Sequence, residues 1–308
     1  MSNVTLSVSF LTSLSVFIVP LIVPSYVLAQ EVDRSIGLRE IKPGYYVYFH
    51  GDDSPGVSST FNSGIIVTNE GVLVIDALGS ETIARQVRDA ISRVTSQPIR
   101  FLISSPFHTP FTGGNAIYAD VFKMGHEHYR TDLSKLLQGA TTEERRKKLP
   151  QQTYRERMTL YLGDKEIQIL YLGRAHTRGD SIVFVPQDRI AYLSEVFNFD
   201  EFPYIADGYS ADWMRTIEAA EALQADIFVP GHGFLPRDPT ETRAGLRRHW
   251  QILKEVRNAV QEQVNRGASE DEAVRAIDLP QYRKFKGYQR ALEIAVRRIH
   301  RELTVGLP

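Results

Sequence analysis

Short runs of apolar residues, separated by glycine, proline and charged residues, make up much of the chain between residues 44 and 122. Runs of this length with turn residues at both ends are typical of β-strands. Asn69-Glu70-Gly71 separates two of them and indicates a hairpin turn. We predict strands at residues 45–49, 64–68, 72–76, 100–104 and 120–122.

Helical periodicity alternates with these strands. Between the third and fourth strands, apolar residues recur every three or four positions behind Ser80, which predicts a helix with a serine N-cap. Residues 131–150 are mostly polar and charged, so we predict an exposed helix there. The second half has the same alternation of strands and helices, with a helix around Trp213 and strands at residues 158–162, 166–172, 181–185, 189–193 and 226–230. Two such halves predict an α/β fold in which two sheets pack face to face with helices outside.

The pattern becomes helical after Arg237 and stays so almost to the end of the chain. Apolar residues form one stripe along a first helix, which Gly267 ends. Ser269 and Glu272 form a capping box for a short helix, and a last helix covers residues 288–303. This change of pattern separates a strand-rich domain at 30–237 from a C-terminal helical extension at 238–308. Residues 1–29 form a third segment, which we interpret as a signal peptide.

The first thirty residues carry no charged side chain, and residues 8–28 are mostly apolar. Val27-Leu28-Ala29 is typical of a signal-peptide cleavage site, and prolines at positions 20 and 24 interrupt the apolar run. These features favour a cleaved leader, so we expect the folded part to begin near Gln30 and to be extracytoplasmic, either periplasmic or secreted. The alternative is an uncleaved anchor, since residues 8–28 are long enough to hold the chain at a membrane.

Composition narrows the choice of partners and metals. The chain has 308 residues, and 36 Lys and Arg against 37 Asp and Glu leave a net charge of −1, so we expect no nucleic acid as a partner. The absence of cysteine excludes disulfides, Cys-ligated zinc and a thiol nucleophile. Any bound metal must be held by carboxylates and by some of the eight histidines.

Three histidines follow predicted strands directly and lie beside glycine-containing loops. His108 precedes Gly113-Gly114, His176 precedes Gly179, and His232 lies between two glycines. Because strand ends at one edge of a sandwich converge in space, we expect these side chains to meet a carboxylate near one metal ion.

These segments also carry a resemblance to a known family. Residues 64–76, 175–180 and 230–233 match the metallo-β-lactamase superfamily in order and spacing. From about Gly44 to Pro236 the chain resembles that superfamily, and the helices that follow resemble an extension found in some of its bacterial secreted members. The resemblance implies the αββα metallo-β-lactamase sandwich, with a metal cleft at one edge of the sheets that takes a small-molecule substrate or ligand.

The resemblance further implies a set of metal ligands, of which this chain keeps only a part. The superfamily's first metal motif reads His-x-His-x-Asp-His before Thr-Gly-Gly-Asn, and alignment on residues 112–115 leaves only His108 in place. Pro106, Pro110 and Phe111 stand at the other three positions, and their side chains have no atom that coordinates a cation. The remaining family ligands correspond to His176, Glu195 and His232, with Glu195 in place of a bridging Asp.

This ligand count favours one zinc ion over the superfamily's two. The candidate ligands are His108, His176, Glu195 and His232. With zinc, the chain would be a hydrolase acting on an ester, amide, lactam, thioester or phosphate, with Glu195 as the fourth ligand or as the catalytic base that positions water. The alternative is a metal-free pseudoenzyme that acts as a binding module. Its apolar cleft floor would consist of Pro106, Phe107, Pro110 and Phe111.

Three single residues and one histidine-containing cluster complete the list of candidates. Asp76 matches an acidic family position near the site and is expected to orient neighbouring groups, while Asp180 is expected to stabilise its own turn. His50 adjoins a Gly/Pro/Ser-rich loop that borders the cleft in the superfamily, so it could contact substrate. His126-Glu127-His128 looks like a ligand cluster, but the superfamily has no ligand there, and we interpret it as a surface turn.

Overall fold

The computed structural model describes residue 1, residues 34–51 and residues 60–307. The predicted leader and most of the loop after His50 lie outside the described residues. In the part of the chain that is described, no helix has both the length and the apolar character to cross a membrane.

Among the described residues, twelve strands form two sheets. The first sheet contains β1 (Gly37–Lys42), β2 (Tyr45–Gly51), β3 (Thr60–Thr68), β4 (Gly71–Ile75), β5 (Ile99–Ile103), β6 (Phe122–His126) and β7 (Gln152–Tyr154), in chain order. Its first four strands are antiparallel neighbours, and β4 to β7 run parallel. The predicted hairpin joins β3 to β4, with Thr68 opposite Gly71.

The second sheet has the order β12, β11, β10, β9, β8. Its strands are β8 (Arg157–Leu162), β9 (Lys165–Leu170), β10 (Ile182–Val185), β11 (Ile190–Asn198) and β12 (Ile227–His232). Neighbouring strands are antiparallel except β11 and β12, which run parallel because α5 (Ser210–Ala222) crosses over between them.

Helices cover the outer faces of both sheets. In the first sheet, Val72 and Val74 on β4 face the first helix, and the alternating Leu73 and Ile75 face the second sheet. The helices are α1 (Glu81–Val94), α2 (Thr109–Thr112), α3 (Glu127–Leu136), α4 (Thr142–Lys148), α5 as above, α6 (Thr242–Asn265), α7 (Glu270–Ala276) and α8 (Tyr288–Thr304). The layers therefore follow the predicted αββα order.

The C-terminal helices share an apolar cluster with the second sheet. Leu246 and Leu253 on α6 and Ala295 on α8 pack into the same cluster as Trp213 of α5 and Phe228 of β12, and all five are fully buried. The predicted ends and caps hold here, since Gly267 follows α6 and the capping box at Ser269 begins α7. The boundary at residue 237 stays a prediction.

Two strands of the first sheet, β1 and β7, are absent from the sequence-based prediction. Both lie at the edges of the sheet, where strands are often short or charged. Half of the residues in β1 are charged, and β7 has only three residues, so neither shows the apolar run of a central strand.

The prediction of a strand at 120–122 is wrong by several residues, and the surface turn at His126 is wrong with it. β6 contains Lys123, which is buried because its Nζ donates to the carbonyl oxygens of Tyr118 and Val121 at 2.8 and 3.2 Å. His126 is 1% exposed and caps α3 by accepting a hydrogen bond from the backbone N of His128. Its ring stacks on that of Tyr171, with centroids 4.0 Å apart. His126 is therefore a structural residue at the end of β6.

Candidate functional site

Glu195 lies on a bulge in β11. The strand continues past its predicted end at residue 193, and its register against β12 shifts on both sides of Ser194. Ser194 has a φ of 48°, in the left-handed region that favours glycine. Across the bulge, a Cβ atom on Gly231 would lie 2.5 Å from the carbonyl carbon of Ser194, so only glycine fits there. This close approach brings Glu195 beside the end of β12.

Asp76 holds that bulge from the other sheet. Its Oδ2 accepts a hydrogen bond from Ser194 Oγ at 2.6 Å, and its Oδ1 accepts from the backbone N of Ser105 at 2.9 Å. Burial raises the pKa of Asp76 to about 7, although both hydrogen bonds act in the opposite direction. Asp76 thereby joins the bulge that carries Glu195 to the loop that leads to His108.

His176 lies in the loop after β9, in a turn closed by Asp180. The Asp180 carboxylate accepts from the backbone N and from Oγ1 of Thr177, both at 2.7 Å. Burial raises the pKa of Asp180 even though those hydrogen bonds oppose the shift. The ring of Trp213 meets His176 edge-on, with ring centroids 5.2 Å apart. The closed turn and the Trp213 ring together restrict the orientation of the imidazole.

His232 is the last residue of β12 and is tied to β3. Its Nδ1 donates to the carbonyl oxygen of Thr60 at 2.8 Å, which leaves Nε2 facing the site. Phe61 and Phe111 pack edge-on against its ring, with centroids 5.1 and 5.2 Å away. After His232, Gly233 has a φ of 86°, and a Cβ atom there would lie 2.0 Å from the carbonyl oxygen of Phe199.

His108 directly precedes α2, and its side chain is oriented by Asp207, a residue that the sequence reasoning missed. His108 Nε2 lies 2.9 Å from Asp207 Oδ2 and donates to it, since a carboxylate only accepts, and Nδ1 faces Glu195 and His176. The Asp207 segment is in turn fixed by α8, because Arg298 donates to the carbonyl oxygens of Gly208 and Asp207 at 2.8 and 3.0 Å. No motif in the sequence marks Asp207, since its position depends on how α8 packs.

The structure brings His108, His176 and Glu195 together at one point. Glu195 Oε2 lies 2.7 Å from His176 Nε2 and 3.1 Å from His108 Nδ1, and those two nitrogens are 3.1 Å apart. His232 Nε2 contacts the other carboxylate oxygen, Glu195 Oε1, at 2.8 Å. Three ligand-type atoms therefore form a triangle, and His232 holds the carboxylate from its far side.

Strong electrostatic coupling accompanies this geometry. Burial alone would raise the pKa of Glu195, but the charge of His176 and hydrogen bonds from all three histidines hold it well below its usual range. Burial alone would lower the pKa of His108, yet hydrogen bonds to Asp207 and Glu195 raise it to about 10. The pKa of His232 is raised for the same reason, since its bond to Glu195 outweighs burial. Glu195 is therefore an ionised carboxylate.

The triangle has the size of a metal site. In a tetrahedral zinc site with bonds of about 2.0–2.1 Å, neighbouring ligand atoms lie about 3.3 Å apart, close to the edges of 2.7–3.1 Å found here. A metal-binding imidazole also donates its other N–H to a carboxylate or carbonyl group, as His108 does to Asp207. His176 Nδ1 is buried without a partner among the described residues. The cluster could hold a metal ion.

A cavity of about 430 Å³ opens onto this cluster. It is lined by the four candidate ligands, by Asp207 and by Phe61, Thr109, Pro110, Glu201, Phe202, Tyr204, Ala206, Lys286, Gly287, Arg290 and Ala291. The expected apolar floor is largely wrong, because only Pro110 of its four residues lines the cavity. Phe111 is buried against His232, and Phe107 packs beside Tyr129 and Leu133.

His50 does not line the described part of the cavity. It lies near the end of β2, directly opposite the cavity residue Phe61 in the register with β3. Its expected contact with substrate stays a prediction, since most of the adjoining loop lies outside the described residues.

The class of protein follows from this fold and site. Residues 61–232, more than half of the chain, match the family model described as the metallo-beta-lactamase superfamily. The chain belongs to the metallo-β-lactamase superfamily, as its sequence motifs indicated.

Particular relatives are distant in sequence. The chain is 22% identical over 203 residues to a metallo-beta-lactamase type 2 of Elizabethkingia meningoseptica, covering 64% of this chain and 78% of that protein. It is 26% identical over 182 residues to the 2,4-dinitroanisole O-demethylase subunit alpha of a Nocardioides species, covering 56% of this chain and 52% of that protein. Among solved structures, a metallo-beta-lactamase from Pontibacter korlensis has the same fold, with a TM-score of 0.61 and 18% identity over 71% of this chain and 99% of its own.

Proposed function

We propose that the chain is a hydrolase that uses one zinc ion held by His108, His176 and Glu195. The observation that carries the proposal is the triangle of facing atoms from these residues. Imidazole nitrogen and carboxylate oxygen are ligands that zinc accepts, and the superfamily usually binds zinc. Three protein ligands would leave one position of a tetrahedral zinc ion for water or substrate, as in catalytic zinc sites.

The surrounding residues have separate roles in this proposal. When bound, the ion lowers the pKa of a water molecule and polarises the carbonyl or phosphoryl oxygen of the substrate. Asp207 keeps the proton of His108 on Nε2, which presents Nδ1 to the site. His232 Nε2 lies 2.8 Å from Glu195 Oε1 and would fix the orientation of the carboxylate while Oε2 faces the ion.

The substrate is a hydrolysable small molecule that fits a cavity of about 430 Å³. The residues support an ester, amide, lactam, thioester or phosphate equally. Relatives named metallo-beta-lactamase add weight to lactams, and the relative named O-demethylase adds aryl ethers to the compounds worth testing.

Asp207→Asn tests this function through the metal. The variant keeps the size of the side chain but no longer fixes the His108 tautomer, so we expect zinc affinity to fall about 10- to 100-fold. On a panel of esters, lactams, thioesters, phosphates and aryl ethers, the variant should need correspondingly more zinc to reach its half-maximal rate and should recover activity at excess zinc.

Asp226→Asn is the matched control, because the Asp226 carboxylate pairs with Arg189 on the surface, away from the cavity. It should have the zinc dependence of the unmodified chain. Absence of turnover of every compound at saturating zinc would contradict the hydrolase. Turnover that chelation of zinc leaves unchanged would contradict the role of the metal.

For location, we propose that the leader is cleaved and that the mature chain begins near Gln30 outside the cytoplasm, because residues 1–29 carry no charged side chain and end in Val27-Leu28-Ala29. Expression of the whole gene product in a bacterial host should yield mature protein in the periplasmic or culture fraction, and its intact mass should correspond to loss of the leader. Full-length protein retained with the membranes would show that the leader is an anchor.

A further inference from the structure

The C-terminal extension contributes a cationic wall to the cavity. Lys286, just before α8, and Arg290 and Ala291, in the first turn of α8, line the cavity. Tyr288, between them, is buried and meets Phe202 of the cavity edge-on at 5.2 Å. The start of α8 is thus packed against the cavity, and Lys286 and Arg290 form the cationic part of the cavity wall.

The carboxylates of the same cavity already have partners. Glu195 is held by three histidines, and Asp207 is held by His108. Glu201 is 7% exposed and is close enough to His232 to favour the charged imidazole. Arg290, by contrast, is exposed and makes no hydrogen bond or ion pair within the described residues. Its guanidinium is therefore available to a ligand.

Aromatic and aliphatic side chains make up the rest of the wall. Phe61 and Phe202 line it beside Pro110, and Tyr204, which is 37% exposed, lines it too. Surfaces of this kind bind the apolar body of a ligand, and a few charged groups fix its orientation. The cavity therefore has an apolar part and a separate cationic part.

We infer that the ligand of this cavity is an oxyanion-bearing molecule with an apolar or aromatic body, and that Arg290 binds its carboxylate, sulfonate or phosphate group. This inference rests on the proposed function, because the ligand it describes is the substrate of the proposed hydrolase site. A guanidinium recognises such groups with two parallel N–H donors, which an ammonium group cannot reproduce. The reacting bond would then lie between the bound anion and the histidine cluster.

Two dyes that differ by one sulfonate test this inference by binding alone. These are 8-anilino-1-naphthalenesulfonate, which is anionic, and N-phenyl-1-naphthylamine, which is its neutral counterpart. Fluorescence titration of the full mature chain, with and without zinc, should show the anionic dye binding at least about tenfold more tightly at low salt. Arg290→Gln should weaken the anionic dye about tenfold and change the neutral dye less than about twofold. Arg290→Lys should retain part of the preference.

Arg247→Gln is the control, because Arg247 is an exposed arginine that pairs with Glu221 outside the cavity. It should leave both affinities unchanged. Equal binding of the two dyes by the unmodified chain would overturn the inference, and so would an Arg290→Gln variant that keeps the full preference or loses both dyes equally. Because the titration needs no turnover, these outcomes are separate from a failure of zinc-dependent hydrolysis, which the compound panel measures.

Discussion

His176→Ala is expected to abolish zinc binding at micromolar zinc and all zinc-dependent turnover with it. The change removes Nε2 from the triangle and leaves His108 Nδ1 and Glu195 Oε2 as a two-atom site. Loss of a residue that only supports a ligand costs about 10- to 100-fold in affinity, so loss of a ligand should cost more than about 100-fold. Calorimetric titration of zinc into the metal-free chain measures the difference directly.

His232→Ala is the informative comparison for that experiment. His232 touches Glu195 Oε1, whereas the triangle uses Oε2, so zinc should still bind to this variant with affinity reduced about 10- to 100-fold. Turnover should fall further than binding, because Glu195 Oε1 loses the hydrogen bond that fixes the orientation of the carboxylate. If His232→Ala lost zinc binding as completely as His176→Ala, His232 would instead be a direct zinc ligand, as His176 is proposed to be.

A chain that stops after Arg237 is expected to aggregate or to lose its cooperative thermal transition. The deletion removes α6, which contributes five fully or almost fully buried apolar side chains to the cluster on the second sheet: Leu246, Ile252, Leu253, Val256 and Val260. Their burial contributes on the order of 10 kcal/mol, comparable to the whole net stability of a typical domain, about 5–15 kcal/mol. The exposed face of the sheet would also be a large apolar patch.

The same deletion removes contacts that shape the site. Glu302 of α8 accepts hydrogen bonds from the backbone N and Oγ of Ser210 at 2.9 and 2.7 Å, and Arg298 fixes the Asp207 segment. A chain that stops after Thr304 is the control, since it lacks only four terminal residues, including the 84% exposed Val305, and should melt as the complete chain does. A soluble truncation at 237 with a cooperative transition would show that the helices are an independent appendage.

Much of the fold is predictable because the central strands are continuous apolar runs. The strand at 72–76 and its neighbours are buried on both faces, between helices and the other sheet, so their sequence carries a strong signal. Edge strand β1 is half charged, and β6 contains a buried Lys123 that interrupts the apolar pattern. In both cases the long-range pairing of the sheet, which a local window does not contain, determines the strand.

The candidate site divides in the same way. Its three histidines adjoin strand ends, so local motifs identify them, whereas Glu195 sits inside a strand and is identified by the family resemblance. Asp207 and Arg290 become visible only when α8 is packed, because α8 carries Arg290 and holds the Asp207 segment. Phe107 and Phe111 look like cleft residues in sequence, yet Phe111 is fully buried and the half-buried Phe107 packs beside Tyr129 and Leu133, because burial of aromatic surface is favourable.

The packing of Phe111 also bears on why one ion is expected rather than two. Its ring is fully buried between Phe61 and His232, where the superfamily's motif places a histidine. The space beside His232 is therefore filled by an apolar side chain, and His232 Nε2 is left with Glu195 Oε1 as its partner. A second ion at this place would have too few ligands to hold it.

The number of zinc ions per chain tests the central claim most directly. The mature full chain, stripped with chelator, reconstituted with excess zinc and passed over a desalting column, is analysed for metal and protein together, beside His176→Ala. The proposed site predicts one ion in the unmodified chain and none in the variant. Less than about a tenth of an ion per chain would contradict the metal site and favour a metal-free binding module, and two ions in the unmodified chain would contradict the single site.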